Sequence, residues 1–325
     1  MSQPLGAALY NTFTCNGLFV SDCDLRHAIV LSGIREGLNC ESCSSHSLAG
    51  YQQSTTRKQR VTTEDEARKR AEADFHDKRE ADRNQMDDAE FLKHYPNKRF
   101  YAIARRHSDY LDDFVGQNAP GVDALDYCCG LGASSLRLLR AGARCTGIDI
   151  SAESVATAKK LAHDNGFAEQ SHFEVMDAEA LTFDDDSFDL IICSGVLHHL
   201  EINAAYRELS RVLRPGGKII ALEALGHNPA IAAYRKLTPK LRTEWEADHI
   251  LTSSELTLAE DFFGKVTKRY FYLLSVIPIS LGGRFGSDKL IKLTDKIDDV
   301  LLKVPGIRKM AWQVVFTLEK PIKSL

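Results

Sequence analysis

The chain has 325 residues, of which 44% are hydrophobic and 26% charged, a composition typical of globular proteins. Its formal net charge of -4 at pH 7 provides no general attraction to nucleic acid or to anionic lipid. Eight scattered cysteines in a chain long enough to bury a core favour a reducing compartment, so we expect a cytoplasmic protein. We also expect no signal peptide, and the longest apolar run, 270–281, falls short of the roughly 20 residues of a membrane-spanning helix.

The first segment, residues 1–60, shows no sustained period of a helix or a strand, and we predict a poorly ordered leader. Four cysteines lie in it, at Cys15, Cys23, Cys40 and Cys43. The last two form a CxxC pair, which is one element of a zinc site. The other two are irregularly spaced, and the alternative interpretation, stray thiols in a leader, is favoured.

Residues 61–95 are highly charged, with acidic and basic side chains interleaved at i, i+3 and i+4 spacing. This pattern predicts a solvated helix that acts as a tether. Aromatic and apolar residues return at helical spacing in 100–115 and predict a helix packed on the following domain. The residues that carry this spacing are Phe100, Ile103, Tyr110, Leu111 and Phe114.

After Pro120 the sequence alternates short apolar strands with amphipathic helices, which predicts a parallel sheet with helices on both faces. Residues 312–320 alternate strictly, which predicts a half-buried antiparallel strand at or near the sheet edge. We assign 96–325 to this domain, with a helical insert at about 275–308. The predicted strands are 122–127, 144–150, 171–176, 188–195 and 218–224, and the predicted helices are 134–142, 151–166 and 203–213, with a turn at 215–217.

Distinctive residues follow the first three predicted strands, and the carboxyl ends of parallel strands meet at one edge of a sheet. Gly130 and Gly132 follow the first strand, where the missing Cβ lets a ligand lie against the main chain. Asp149 ends the second, where a carboxylate can accept hydrogen bonds from ribose hydroxyls. Asp177 and Ala178 follow the third strand. The carboxylate offers a hydrogen-bond acceptor to the amine of a purine, and the small alanine leaves room for the purine ring. Each aspartate alone is as typical of a turn at a strand end as of a ligand-binding site. The presence of both, in this order along the chain, favours a ligand-binding site.

Dinucleotide-binding enzymes use a similar glycine loop, so a nicotinamide-dependent oxidoreductase is an alternative. Ser135 stands where the third glycine of their fingerprint would be, which disfavours it.

Four ordered motifs within residues 122–224 resemble the class I S-adenosylmethionine-dependent methyltransferases, in particular the methyltransferase type 11 group. They are "LDYCCGLG", "GIDIS", "DAEALTFDDDSFDLIICSGVLHHL" and "RELSRVLRPGGKIIALE". The resemblance implies an α/β fold, with a Rossmann-like seven-stranded, mostly parallel sheet, helices on both faces and a reversed final strand. It also implies S-adenosylmethionine as the cofactor, bound by Asp126, Gly130, Gly132, Asp149, Ile150, Asp177, Ala178 and Ser194. The double cysteine Cys128–Cys129 departs from the family pattern near the methionine end of that site.

His198 and His199 are the candidate catalytic residues, since a histidine beyond the fourth strand can act as general base on a hydroxyl acceptor. The alternative is a histidine that is hydrogen-bonded to the loop backbone. Glu223 and His249 are further candidates for the base. We expect no metal site from the histidines, because no pair of them has i, i+4 spacing.

The regions that select the acceptor in this fold are residues 95–115 and about 225–310. In the insert, Ile291, Val300 and Leu301 can share one helix face with lysines beside it, as in a helix that binds a membrane surface. A lid packed on its own domain is the alternative and is favoured. A surface helix implies peripheral membrane contact and an amphiphilic acceptor, such as a quinone, a lipid or a glycan precursor. The block from "DAEAL" to "RPGG", residues 177–217, also resembles the quinone-ring C-methyltransferases.

We therefore predict an enzyme that methylates an oxygen or a carbon of a small-molecule acceptor. A protein that binds S-adenosylmethionine without turnover is the remaining alternative. Nucleic-acid methylation is disfavoured, because the sequence has no basic stripe with interleaved aromatics and has "CSGV" where base aminomethylating enzymes have a different tetrapeptide.

Overall fold

The computed structural model describes residues 46–87, 90, 105–238, 241, 243–280 and 288–323. The chain divides into two compact units, Met1–Val61 and Thr62–Leu325. Of the first unit, residues 46–61 are described and are helical. The predictions for residues 1–45, with all four of their cysteines, and for Phe100 and Ile103 lie outside the described residues.

Strands and helices alternate over residues 123–175 and 188–224, as the sequence predicts. The strands are β1 (Asp123–Tyr127), β2 (Arg144–Asp149), β3 (Ser171–Val175), β4 (Phe188–Ser194), β5 (Leu213–Ala224), β6 (Phe263–Phe271) and β7 (Gln313–Pro321). The helices are α1 (His46–Gln85), α2 (Arg106–Asn118), α3 (Ala133–Arg140), α4 (Ala152–Asp164), α5 (Ile202–Val212), α6 (Pro229–Leu237), α7 (Glu244–Asp248), α8 (Ser253–Leu258), α9 (Val276–Ser280), α10 (Asp288–Leu301) and α11 (Pro305–Arg308).

All seven strands form one sheet in the order β3-β2-β1-β4-β5-β7-β6. The pairs from β3 to β5 are parallel, and β7 runs antiparallel to both of its neighbours, β5 and β6. The predicted Rossmann-like sheet with a reversed final strand is confirmed. Six of the nine residues of β7 are buried because it lies inside the sheet, one strand from the edge.

The core has two layers, one on each face of the sheet. Successive residues of a strand point to opposite faces, and here Ile191 belongs to one buried cluster while Ile192 belongs to the other. The same alternation separates Val314 from Val315 in β7. Burial on both faces explains why the sequence of β4 is almost continuously apolar.

Two local features show how the sequence sets the ends of these elements. Ser151 is the N-cap of α4, as predicted, and its hydroxyl accepts the N–H of Ser154 at 3.0 Å. The predicted turn at 215–217 is instead an irregularity within β5, because Phe188 pairs with Leu213 and Leu190 pairs with Lys218.

The prediction that Ile291, Val300 and Leu301 share one face of α10 is wrong. Ile291 packs against the core, whereas Val300 is 65% exposed. Nine residues at 100° each place these two side chains on opposite sides of a helix. Within the described residues, none of the helices is long and apolar enough to cross a bilayer.

Candidate functional site

A cavity of about 660 Å³ lies at the carboxyl ends of strands β1 to β4. Seven of the eight residues that the sequence assigns to cofactor binding line it. These are Asp126, Gly130, Asp149, Ile150, Asp177, Ala178 and Ser194. Their convergence follows from the parallel topology, which brings the ends of neighbouring strands to one edge of the sheet.

The two glycines after β1 have different roles. Gly130 lines the cavity with a φ of 49°, and a Cβ on it would meet no heavy atom within 4 Å. Gly132, with a φ of 84°, caps α3 and does not line the cavity. A Cβ there would lie 2.9 Å from the Cβ of Ala158, so Gly132 allows α3 to pack closely against α4. Of these two glycines, Gly130 is the one that faces the cavity.

Asp149 at the end of β2 connects this loop to the next strand. Its Oδ2 accepts the N–H of Gly130 at 2.9 Å, and its Oδ1 accepts the N–H of Ser151 at 2.9 Å. The side chain is buried, and burial raises the pKa of the carboxyl while the two N–H groups oppose that rise. Each oxygen retains a further lone pair for a ligand.

Asp126 at the end of β1 is buried beside the cavity. Its Oδ2 accepts the hydroxyl of Ser135 at 2.6 Å, so the residue in place of a third glycine connects β1 to α3. Burial raises the pKa of the Asp126 carboxyl to about 7, and the nearby Asp149 adds to the rise. This carboxyl therefore titrates near neutral pH.

Asp177 and Ala178 follow β3. The Oδ1 of Asp177 accepts the N–H of Glu179 at 2.9 Å, and its Oδ2 lies 2.8 Å from the ammonium of Lys69. The carbonyl of Ala178 accepts the buried hydroxyl of Tyr127 at 2.6 Å, which fixes this loop to β1.

Helix α1 contributes a large part of the cavity wall, although the sequence predicts it to be a solvated tether. Glu72 and Glu80 are only 4% and 3% exposed. The lining residues that α1 supplies are Arg68, Lys69, Glu72, His76, Arg79, Glu80 and Arg83. The helix contacts the loop after each of three strands, through Lys69 and Asp177, Glu72 and His199, and Asp77 and the hydroxyl of Ser151.

Arg68 connects α1 to the other side of the cavity. Its guanidinium donates to both carboxylate oxygens of Glu179, at 2.7 and 2.8 Å, and to the carbonyl of His199 at 2.9 Å. The same group lies 4.7 Å from the centre of the Trp245 ring. Sequence spacing offers no signal for these contacts, because the partners are more than 100 residues away.

The structure separates the two candidate histidines. His199 lines the cavity, and its Nδ1 lies 3.0 Å from Oε2 of Glu72. Burial favours the neutral form of Glu72, but hydrogen bonds from His199 and Thr243 outweigh burial and lower the pKa of Glu72. An ionised Glu72 accepts the Nδ1 proton of His199 and leaves Nε2 as the basic nitrogen.

His198 does not line the cavity. Its Nδ1 lies 2.7 Å from Oε2 of Glu223, whose Oε1 accepts the N–H groups of Val196 and Leu197 at 2.8 and 2.7 Å. Burial disfavours the imidazolium, but the Glu223 carboxylate outweighs burial and raises the pKa of His198. His198 and Glu223 thus hold the loop after β4.

His249 is exposed and stacks on Trp245 with 3.5 Å between ring centres, so it is not part of the cavity. Among the residues that the structure describes, two groups of side chains have the ligand types and spacing of a metal site. They are Glu72, His76 and His199, and His198, His199 and Glu246. The first includes the i, i+4 pair Glu72 and His76, which joins a carboxylate to a histidine, whereas the sequence prediction concerned pairs of histidines.

The double cysteine after β1 provides no nucleophile. Burial raises the pKa of the Cys129 thiol, and also that of Cys128. Because the thiolate is the reactive form, both side chains act as small apolar groups.

Known proteins match the part of the chain that forms this edge of the sheet. Residues 125–221 match the family model described as a methyltransferase domain. The ubiquinone/menaquinone biosynthesis C-methyltransferase UbiE of Bartonella quintana is 40% identical over 103 residues, which are 30% of this chain and 40% of that enzyme. Sterol 24-C-methyltransferase ERG6B of Gibberella zeae is 34% identical over 118 residues, which are 36% of this chain and 30% of that enzyme.

The norajmaline N-methyltransferase of Rauvolfia serpentina is 32% identical over 117 residues, which are 35% of this chain and 37% of that enzyme. The matched part spans less than half the length of each of these relatives. Their names differ in the acceptor and share the methyl transfer, and the matched residues contain most of the loops that line the cavity. Over residues 125–221, the chain is similar to a methyltransferase domain.

Proposed function

We propose that this protein transfers a methyl group from S-adenosylmethionine to a small-molecule acceptor. The observation that carries the proposal is the convergence of Gly130, Asp149 and Asp177 on one cavity. Open α/β sheets bind ligands beyond the strand ends where the strand order reverses, and here that point lies between β1 and β4.

The residues around the cavity fit this cofactor. The volume of about 660 Å³ is within the range of roughly 300–1,000 Å³ that small-molecule sites occupy. We assign Asp149 to the ribose hydroxyls, Asp177 with Ala178 to the adenine, and Gly130 with the neighbouring Asp126, Ile150 and Ser194 to the rest of the molecule. The space beside Gly130, where a Cβ would meet no atom within 4 Å, supports this assignment.

Bound S-adenosylmethionine supplies a methyl carbon that its sulfonium makes electrophilic. The protein then has to hold the acceptor behind that carbon, and positioning of this kind lowers a barrier by ~7–11 kcal/mol. Helix α1 covers the strand ends with buried side chains, which favours the exclusion of water from the acceptor.

We assign the general base to His199. It lines the cavity, and the buried Glu72 orients its ring and stabilises the imidazolium after proton transfer. A general base in this position increases the reaction rate by roughly 10²–10⁴-fold when the acceptor must lose a proton. His198 is a poor candidate because it does not line the cavity, and its contact with Glu223 holds it in the loop after β4.

The acceptor class is a finer part of the proposal. We infer an amphiphilic molecule, in the range of quinones, lipids and glycan precursors, methylated in the cytoplasm with peripheral contact to a membrane. The exposed apolar residues of α10 support this inference, since Leu293 and Val300 are 56% and 65% exposed.

Transfer of a labelled methyl group tests the proposal. The protein is incubated with methyl-labelled S-adenosylmethionine and with the aqueous and the lipid fractions of a cell extract, and mass spectrometry identifies the labelled product. We expect label in a small molecule of the lipid fraction, and a loss of at least 100-fold in His199→Asn. His163→Asn, at an exposed histidine of α4, is the matched control. Label in protein or nucleic acid alone, or binding of S-adenosylmethionine without any transfer, would contradict the proposal.

A further inference from the structure

Helix α10 exposes an apolar stripe. Leu293, Ile297 and Val300 are spaced i, i+4 and i+7, so they lie along one face of the helix, and they are 56%, 40% and 65% exposed. Val304, just beyond the last turn, is 45% exposed. Singly exposed aliphatic residues are common on protein surfaces, but a continuous row on one helix face marks an interaction site.

The opposite face of α10 is fixed to the domain. Asp298 is fully buried, and its carboxylate accepts the N–H groups of Leu273, Leu274 and Ser275 at 2.9, 2.8 and 3.1 Å. The hydroxyl of Ser275 donates to the same carboxylate at 2.6 Å. These four bonds set the rotation of the helix about its axis and hold the apolar stripe on the outer side.

A row of lysines runs beside the stripe, on one flank only. At 100° per residue, three of them, Lys289, Lys292 and Lys296, lie roughly 40–100° from Leu293 around the helix axis, all in the same direction, and Lys303 follows the end of the helix. All four are exposed, and among the described residues none of them forms an ion pair with a carboxylate. The lysines are Lys289, Lys292, Lys296 and Lys303.

Two acids on the same helix do not neutralise this row. Asp299 pairs with Arg106 of α2, and Asp295 lies 3.6 Å from the same guanidinium. The lysine charges are therefore available to an external partner.

We infer that this face of α10 docks on the surface of an anionic lipid bilayer, with the stripe among the acyl chains and the lysines at the headgroups. An apolar face with flexible lysines beside it and a fixed polar face behind it matches an interfacial helix. A second copy of the chain fits less well, because it would bring another row of lysines to the interface without acidic partners. This assignment rests on the membrane contact in the proposed function and identifies the surface that makes the contact. Its test requires no methyl transfer.

Co-sedimentation with vesicles tests the inference. The full chain is mixed with vesicles of phosphatidylcholine and phosphatidylglycerol, and in parallel with vesicles of phosphatidylcholine alone. We expect binding to the anionic vesicles that falls with added salt, and a loss of at least tenfold in the double variant Leu293→Gln, Val300→Gln. The matched control is Val175→Gln with Ile322→Gln, at positions that are 51% and 49% exposed elsewhere on the surface.

A second pair of variants tests the charges. The triple variant at Lys289, Lys296 and Lys303, each to Gln, should lose at least tenfold in binding to the anionic vesicles. The matched control is the triple variant Lys159→Gln, Lys265→Gln, Lys320→Gln. It changes the net charge by the same amount and should leave binding to the anionic vesicles unchanged. Thermal unfolding verifies that each variant is folded.

Equal binding of all variants, or no binding to either vesicle, would overturn the inference. Light scattering that shows a dimer of the natural chain, dissociated by Leu293→Gln with Val300→Gln, would overturn it as well and would assign the face to a second copy. Binding of S-adenosylhomocysteine, measured separately, distinguishes a failure of this inference from a failure of the proposed cofactor site.

Discussion

The ammonium of Lys69 lies 2.8 Å from Oδ2 of Asp177, the carboxylate that we assign to the exocyclic amine of adenine. The same ammonium lies 3.0 Å from Glu179, and the hydrogen bonds that it donates to these carboxylates raise the pKa of Lys69 against the effect of burial. Lys69 is therefore charged and holds α1 against the loop after β3. Helix α1 and the proposed cofactor share one acceptor.

Replacement of Lys69 by methionine should tighten the binding of S-adenosylhomocysteine. The adenine amine would no longer share Asp177 with an ammonium, so we expect a dissociation constant lower by roughly two- to fivefold, equivalent to about 0.5–1 kcal/mol. Titration calorimetry measures the change, with Lys78→Met on the same helix as the control. A weaker binding in Lys69→Met would mean that Lys69 supports the ligand instead.

The place of α1 could not be predicted from its residues. Hydrophobic periodicity finds a buried helix face through apolar side chains, whereas the buried positions here include Glu72 and Glu80. Interleaved charges are typical of solvated helices, and their burial depends on partners such as His199 and Asp177 that lie far along the chain. Only the three-dimensional structure brings those partners together.

Replacement of Glu72 by glutamine tests the role of His199. A neutral amide keeps a hydrogen-bond acceptor for Nδ1 but loses the charge that stabilises the imidazolium. We expect the rate of methyl transfer to fall about 10- to 100-fold, less than in His199→Asn, where the whole contribution of a general base is lost.

Glu80→Gln is the matched control for this variant, because Glu80 is also buried on α1 and also lines the cavity. The affinity of Glu72→Gln for S-adenosylhomocysteine should stay within about twofold of that of the natural protein. Equal rates in Glu72→Gln and Glu80→Gln would contradict the assignment of Glu72 as the residue that positions His199.

The strands and their order along the chain could be predicted because their sequence signals are local. Apolar runs, the Ser151 cap and the alternation in 312–320 each specify an element without reference to distant residues. His198 and His199 could not be distinguished, since adjacent residues share every sequence signal, and only Glu223 and Glu72 separate their roles.

The raised pKa of Asp126 predicts a pH dependence of stability. Burial raises the pKa of the carboxyl from its ordinary value of 3.8 to about 7 in the folded protein, so the folded state binds an extra proton between these pH values. Stability from this group is therefore present at low pH and is lost as the pH rises towards 7, by an amount on the order of a few kcal/mol.

Asp126→Asn removes this titration and keeps an acceptor for the hydroxyl of Ser135. Denaturant unfolding at pH 5 and pH 8 should show that the variant gains stability relative to the natural protein as the pH rises. A stability difference that is the same at both pH values would contradict the account of Asp126.

Asp298→Ala tests the anchor of α10. Its loss leaves three backbone N–H groups and one hydroxyl without their acceptor, so we expect unfolding free energy to fall by about 3 kcal/mol or more. Asp299→Ala, at a side chain that is 53% exposed, should cost less than about 1 kcal/mol. Denaturant unfolding compares the two, and equal losses would show that the buried carboxylate does not anchor the helix.

Titration calorimetry with S-adenosylhomocysteine tests the central claim most directly, through Asp149. The natural protein should bind one molecule per chain, and Asp149→Asn should weaken binding at least tenfold, equivalent to about 1.4 kcal/mol, while Asp164→Asn on the surface leaves it unchanged. Undetectable binding by the natural protein, tight binding of NAD in its place, or an unchanged constant in Asp149→Asn would contradict the account.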